Sequence, residues 1–251
     1  MKPRCFVDPA EWARESIRLR AEDAHHLTDV LRAEVGTEVT VGDGRGGEAQ
    51  GEIAEIGPEG GVVVRVLGRR PHGAADWRIT LVQAVPKGER MEWIVQKAVE
   101  LGAWSVVPVM TERGVVRLEG GRADNRVARW QRIAVEAAKQ CRTAWVMRVE
   151  PVVDLSQWLG ATGRPGAAVV GSLDADARPF RNVCAGLRLQ PPGDVAVLIG
   201  PEGDFTPAEL AAAKAAGATP VTFGRRVLRV ETAALHAVSV LAYELGVMAA
   251  E

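Results

Sequence analysis

VAVLIGPEGDFTPAEL (residues 195–210) and TPVTFGRRVLRVETAALHAVSVLAYELG (residues 219–246) are the stretches whose reading decides the fold. Val195–Ile199 is a short apolar run, as expected of a strand buried on both faces, and it ends in Gly200-Pro201-Glu202-Gly203. The spacing then predicts a helix with both ends marked. Thr206 is the N-cap, Pro207 takes the first helical position, Glu209 closes a capping box, and Gly217 stands just past the end. Pro220–Phe223 reads as a second strand, followed by a turn at Gly224 and the segment Arg225–Thr232. Two glycine-bearing loops at the carboxyl ends of parallel strands are where an open α/β sheet takes a small ligand.

The same rhythm extends back to residue 78. Arg78–Val85, Ser105–Met110, Arg148–Val153 and Ala167–Leu173 read as further strands. Glu89–Leu101 reads as an amphipathic helix with Met91, Ile94, Val95 and Ala98 inside. A long helix capped by Asp124 and running to Gln140 carries Val127, Trp130, Ala134, Ala137 and Cys141 on its buried stripe, with Arg126, Arg129 and Arg132 facing outward. This alternation predicts an α/β fold, a mostly parallel sheet with helices on both faces. The last segment, Ala233–Leu245, is apolar nearly all round, so it should be buried on every side or packed on another subunit.

Residues 1–70 differ in character. A short helix over Asp23–Arg32, with Leu27, Val30 and Leu31 on one side, precedes three strands, Thr37–Val41, Gln50–Ile56 and Gly61–Leu67. Turns at Gly42–Gly47 and Gly57–Gly60 divide them, and such spacing predicts a small barrel or a curled sheet. The Gly42–Gly47 cluster looks like a dinucleotide fingerprint but lies between strands and opens no helix, so a hairpin turn explains it. Arg69–Ala75 is polar and rich in turn formers, which places a boundary between a domain over 1–73 and one over 74–251.

Composition narrows the function. The chain has 251 residues, 47% of them hydrophobic, with no apolar run near the length of a membrane span. The charged start Met1–Trp12 is unlike a signal peptide. Cys5, Cys141 and Cys184 are odd in number and far apart, which fits a reducing, cytoplasmic setting rather than a disulfide framework. A net charge of −1 excludes a bulk polycation, yet residues 112–148 hold nine Arg and Lys against four acids, a local balance of +5. Arginines on a helix are ordinarily a solvated face; the sharper alternative is a surface for nucleic-acid phosphates.

Several chemistries drop out. His25 and His26 are adjacent and diverge by about 100° on a helix, so they cannot share a metal. His236 is expected as a core histidine and Cys141 as a structural thiol. With no zinc-ligand spacing, serine elbow or Walker lysine, no metal is expected. Gly-Pro-Glu-Gly occurs at both 57–60 and 200–203, but only the second copy has a buried strand before it and a capped helix after it. Glu231 and Thr232 suit the start of the last helix in any case; Arg229, between Leu228 and Val230, is harder to explain as structure.

Leu198–Gly203 and Phe223–Ala233 resemble the IGPEGG and LGxRxLRxETA motifs of the RsmE-type family in the SPOUT methyltransferase superfamily. Lys87–Gly102 and Arg129–Cys141 add similarity, and His25-His26, Val30–Arg32 and Asp43–Gly46 fit that family's PUA-like domain. The resemblance spans nearly the whole chain. It implies a C-terminal SPOUT domain with a trefoil knot, a PUA-like RNA-binding β-barrel before it, and a homodimer. It also implies methylation of N3 of a uridine in 16S ribosomal RNA of the small subunit, with S-adenosylmethionine as methyl donor.

In that reading the donor is bound by Leu198, Ile199, Gly200, Pro201, Gly203, Phe223, Gly224, Val227, Leu228 and Arg229. Arg229 would steady charge on the base oxygens, Glu231 or Glu202 would take the proton, and Thr232 would orient the base. Arg32, Arg45, Arg113, Arg117, Arg126, Arg129, Arg132 and Arg142 would follow the RNA phosphates. Asp204 departs from the family, which commonly has a second glycine there. Two alternatives stay open: a SPOUT enzyme with another RNA target, and a non-catalytic RNA-binding assembly factor.

Overall fold

The computed structural model describes residues 2–58 and 60–247; Glu59 of the second turn and residues 248–251 of the expected second domain lie outside the described residues. The chain forms two compact units, one of residues up to Ala74 together with Ala138–Val146, the other of Ala75–Ala137 and the residues from Met147 on.

In the first unit β1 (Arg4–Phe6), α1 (Pro9–Trp12), β2 (Ser16–Arg18) and α2 (Ala21–His25) lead into β3 (Glu38–Gly42), β4 (Gly47–Ile56) and β5 (Val62–Pro71). The sheet order is β1-β3-β4-β5-β2, antiparallel except for β1 on β3, with β1 and β2 as its two edges. Register shifts between β4 and β5 at Gln50/Gly51 and Ile53/Glu55 bend the sheet around a core of Ile17, Leu27, Val39, Val41, Ile53 and Val64. The Gly42–Gly47 cluster is a hairpin turn: Asp43 Oδ1 accepts from the amides of Arg45 (2.6 Å) and Gly47 (2.8 Å), and Gly44 and Gly46 have φ of 70° and 92°.

Three expectations need correction here. Arg69–Pro71 are not linker but the end of β5, paired with Gly47–Ala49, because ladder bonds use backbone and tolerate polar side chains. The helix over Asp23–Arg32 ends as α2, and residues 26–30 form a wide π turn. Widening the turn breaks the 3.6-residue repeat, so Leu27 is buried while Val30 and Leu31 are exposed.

The second unit runs β6 (Arg78–Ala84), α3 (Arg90–Glu100), β7 (Ser105–Met110), α4 (Gly120–Cys141, of which Ala138–Cys141 belong to the first unit), β8 (Arg148–Val149), β9 (Val153–Asp154) and α5 (Leu155–Gly160). Then follow β10 (Ala167–Gly171), β11 (Arg178–Pro179), α6 (Phe180–Leu187), β12 (Asp194–Ile199), α7 (Pro207–Ala215), β13 (Thr219–Thr222) and α8 (Val230–Glu244). The strand order is β11-β13-β10-β12-β6-β7-β8, with β9 also beside β7, and every pair is parallel. Full burial explains why Val195–Ile199 reads as an unbroken apolar run. Both late strands are inserted between earlier ones, β12 between β10 and β6, β13 between β11 and β10.

The helix after β12 has the predicted caps. Glu209 N donates to Thr206 Oγ1 (3.2 Å), Thr206 N donates to Glu209 Oε2 (2.8 Å), and Gly217 has φ 93°. On α3, Met91, Ile94, Val95 and Ala98 are buried as expected. Arg148–Val153 is two short strands, since Pro151 has no amide for the ladder. α4 starts at Gly120, so Asp124 lies one turn inside it and does not cap it. α5 and α6 are too short to show a helical period and have no expected counterpart.

α8 begins at Val230, which makes Arg229 its N-cap and places Glu231 and Thr232 in its first turn. His236 is exposed rather than buried, because the helical period puts it with Thr232 and Tyr243 on the side this unit leaves open. Its ring meets Phe223 edge-on, centroids 5.5 Å apart. Cys141 is half-buried, and Cys184 is buried, its thiol pushed up to about 11 by desolvation and then by the Glu244 carboxylate, as suits an unreactive structural thiol. Among the described residues no helix is long and apolar enough to cross a membrane, and no group of three or more His, Cys, Asp or Glu is placed to hold a metal.

Candidate active site

The neighbouring strands β13, β10 and β12 end side by side, and the loop leaving each one curls over the sheet edge. Gly171–Leu173, Gly200–Asp204 and Thr222–Arg229, with Arg90 of α3 and the first turn of α8, line a cavity of about 490 Å³. Such a position, at the carboxyl ends of parallel strands, is the one the opening stretch predicts.

Close packing explains the glycines. A Cβ on Gly200 would stand 3.1 Å from the Phe205 amide nitrogen and 3.2 Å from Asp204 Oδ1. Gly224 has φ 119°, open only to glycine at low cost. Gly200→Ala is therefore expected to lower stability by about 1–3 kcal/mol, read as a fall in thermal midpoint. An unchanged midpoint would show that the loop yields freely.

Asp204 N donates to Pro201 O (2.9 Å), and this turn puts Asp204 itself at φ 61°. A glycine suits that left-handed backbone, and aspartate is among the few side chains that tolerate it. Its Oδ1 accepts from the Phe205 amide at 2.8 Å. Burial raises its carboxyl above the usual carboxylate range, with Asp174 adding to the rise, against the Phe205 amide and Arg113, which lower it.

Two other carboxylates share the cavity wall. Glu202 Oε1 accepts from Arg90 Nη1 (2.6 Å) and from the Lys87 amide (3.1 Å). Glu231 Oε2 is buried and has no hydrogen-bond donor among the described residues; Arg90 Nε lies 3.9 Å from it. Arg226 and Arg229 are exposed at the cavity and form no side-chain hydrogen bond or ion pair among the described residues.

Of the residues the sequence points to, Ile199, Gly200, Pro201, Glu202, Phe223, Gly224, Val227, Leu228, Arg229 and Glu231 line this cavity. Leu198 does not, its side chain being fully buried in the core beneath. Gly203 faces Arg113, and Thr232, one step past Glu231 on α8, turns to the exposed side. The sequence reading missed Arg90, Gly171–Leu173, Thr222, Arg226 and the wall position of Asp204. Arg90 had a signal, its place in the conspicuous Lys87–Gly102 segment; Ser172 and Leu173 had none, because only the insertion of β12 and β13 beside β10 brings them in.

The arginines divide into two sorts. Arg113 is tied to the carbonyls of Gly203 (3.0 Å) and Phe205 (3.4 Å), and Arg117 to those of Thr111 (2.8 Å) and Glu112 (3.3 Å). Both therefore anchor loops. Arg126 and Arg129 flank Glu92 at 3.8 and 2.8 Å, while Arg132 is exposed with no partner among the described residues. In the first unit Arg32, Arg45 and Arg142 are exposed, Arg32 and Arg142 at φ 52° and 64°. A second cavity of about 490 Å³ lies by β7 and α5, lined by Thr111, Arg117, Asp154 and Glu209 among others, and has neither glycine loop.

Residues 74–242 match the family described as RNA methyltransferase domain, and residues 19–67 match the RNA methyltransferase PUA domain. The fold is thus that of an RNA methyltransferase. Ribosomal RNA small subunit methyltransferase E of Mycobacterium bovis is 34% identical over 226 residues, 88% of this chain and 84% of the relative. A Legionella pneumophila methyltransferase solved with bound cofactor SAM superposes with a TM-score of 0.85 at 30% identity, covering 97% of this chain and 98% of that one. The Neisseria gonorrhoeae ribosomal RNA small subunit methyltransferase E, solved bound to S-adenosyl methionine, gives 0.83 at 28% identity, covering 97% and 98%. This chain belongs to the ribosomal RNA small subunit methyltransferase E family.

Proposed function

We propose that the protein methylates N3 of a uridine in 16S ribosomal RNA, with S-adenosylmethionine as methyl donor held in the cavity over β13, β10 and β12. The cavity carries this reading. Ile199, Val227 and Leu228 give apolar surface for a flat base, and Gly200 and Gly224 let the main chain come close to its polar edge. Related structures with that compound bound support it. When bound, the donor supplies an electrophilic methyl group on a sulfonium.

The target nitrogen needs help, because the N3–H of uracil is weakly acidic and its lone pair appears only on deprotonation. Glu231 Oε2 is the acceptor, since it is buried at the cavity without a hydrogen-bond donor among the described residues, whereas Glu202 is already held by Arg90 and the Lys87 amide. Arg229, exposed at the mouth and unpaired among the described residues, steadies the charge that spreads onto the base oxygens. N3 lies on the pairing edge of the base, so the uridine must be unpaired or flipped.

Arg126, Arg129 and Arg132 track the RNA phosphates, joined by Arg32, Arg45 and Arg142 of the first unit, which we infer is the RNA-binding domain. Reversing Arg126, Arg129 and Arg132 to Glu is expected to abolish RNA binding and leave S-adenosylmethionine binding intact. Unchanged RNA affinity in a filter assay would remove the patch from this role.

The reading includes a trefoil knot, a homodimer, the small ribosomal subunit as partner and a cytoplasmic site of action. Insertion of β12 and β13 between earlier strands supports the knot. The open side of α8, with Leu235 and Val240 half-buried and Tyr243 exposed, supports the pairing of two copies. Calorimetry with S-adenosylmethionine, followed by transfer of labelled methyl to 16S RNA, tests the proposal. RNA binding without either result would leave the assembly-factor reading.

A further inference from the structure

Three carboxylates line the cavity, and they are not alike. Arg90 lies within ion-pair reach of two, 2.6 Å from Glu202 and 3.9 Å from Glu231. Asp204 forms no ion pair among the described residues; its hydrogen bond is the one Oδ1 accepts from the Phe205 amide. Arg113 is near enough to act on it but directs Nη1 at the carbonyls of Gly203 and Phe205.

The carboxylate stands over the main chain of the first glycine loop, with Oδ1 only 3.2 Å from where a Cβ of Gly200 would be. It also sits on a backbone at φ 61° that glycine would occupy without strain. A half-buried carboxylate with no ion pair among the described residues carries a desolvation cost, which raises its carboxyl above the ordinary aspartate value despite the nearby Arg113. A ligand bearing fixed positive charge offsets that cost.

We propose that Asp204 is a specificity-determining residue whose carboxylate senses the positive sulfonium of the methyl donor and so favours the donor over its neutral thioether product. This inference rests on the reading of the cavity as the S-adenosylmethionine site. The two compounds share adenosine, α-ammonium and α-carboxylate groups, so those parts cancel when they are compared. What differs is one positive charge at sulfur. A carboxylate that senses it weakens the hold on product once the methyl has left, and exchange for fresh donor follows.

The test is calorimetry of S-adenosylmethionine and S-adenosylhomocysteine on the wild-type protein, Asp204→Asn and Asp204→Gly. Asp204→Gly removes the charge while suiting the left-handed backbone, so it keeps the fold; its thermal midpoint checks this. Both variants are expected to lose about tenfold in affinity for the sulfonium compound, with the thioether unchanged. Equal losses for both compounds, or no loss for either, would overturn the inference while leaving the cavity assignment standing. Wild-type protein that binds neither compound would overturn the cavity assignment itself, and this inference with it.

Discussion

Arg229→Ala is expected to lower methyl transfer by about 10³-fold while the fold persists. The selectivity of the loss follows from where the side chain sits. Arg229 is the N-cap residue of α8, but its side chain makes no cap hydrogen bond, and its guanidinium has no partner among the described residues. Removing it costs the helix little, since a backbone carbonyl, not the side chain, receives the Ala233 amide at 2.8 Å. In the proposed mechanism, what is lost is a fixed cation at the cavity mouth, where negative charge would develop on the base as N3 gives up its proton. A single-turnover assay separates this from weakened binding. Near wild-type turnover would discard the role.

Glu231→Gln should be nearly as damaging, with turnover falling by about 10²–10⁴-fold, the range for loss of a positioned general base. Glutamine keeps the shape of the side chain in the first turn of α8 but cannot take a proton. The variant should recover part of its rate at alkaline pH, where the base ionises without help. Glu202→Gln is the matched control, because Glu202 is bound by Arg90 and the Lys87 amide and serves to hold that corner of the loop. If Glu202→Gln loses the rate and Glu231→Gln does not, the two assignments are exchanged.

What could be read in the sequence was local or periodic. The caps of α7 were legible because Thr206, Pro207, Glu209 and Gly217 act within one helix, and β12 was legible because a strand buried on both faces has no polar residue to hide. Both motif loops of the site fall in that stretch. Its third wall did not, since Gly171–Leu173 arrives through strand order, which no local pattern encodes. Arg90 illustrates the same limit: its helix was evident, but its reach to Glu202 and Glu231 is a tertiary fact.

The errors have physical causes. An unbroken 3.6-residue repeat would bury Val30 and Leu31 with Leu27, but a π turn interrupts it. The apolar character of α8 on nearly every side implies a core place for His236, yet one side of that helix is left open by its own unit. Asp204 stands out in the sequence only as an exception to a motif; its φ of 61° is a backbone that glycine takes readily.

The most direct test of the central claim is nucleoside mass spectrometry on small ribosomal subunits that lack the mark, incubated with the protein and S-adenosylmethionine, beside free 16S RNA. One new 3-methyluridine is expected in 16S RNA, absent with the Arg229→Ala protein. A methyl group on a ribose 2′-oxygen or another base atom, or no transfer by a protein that binds the donor, would contradict it.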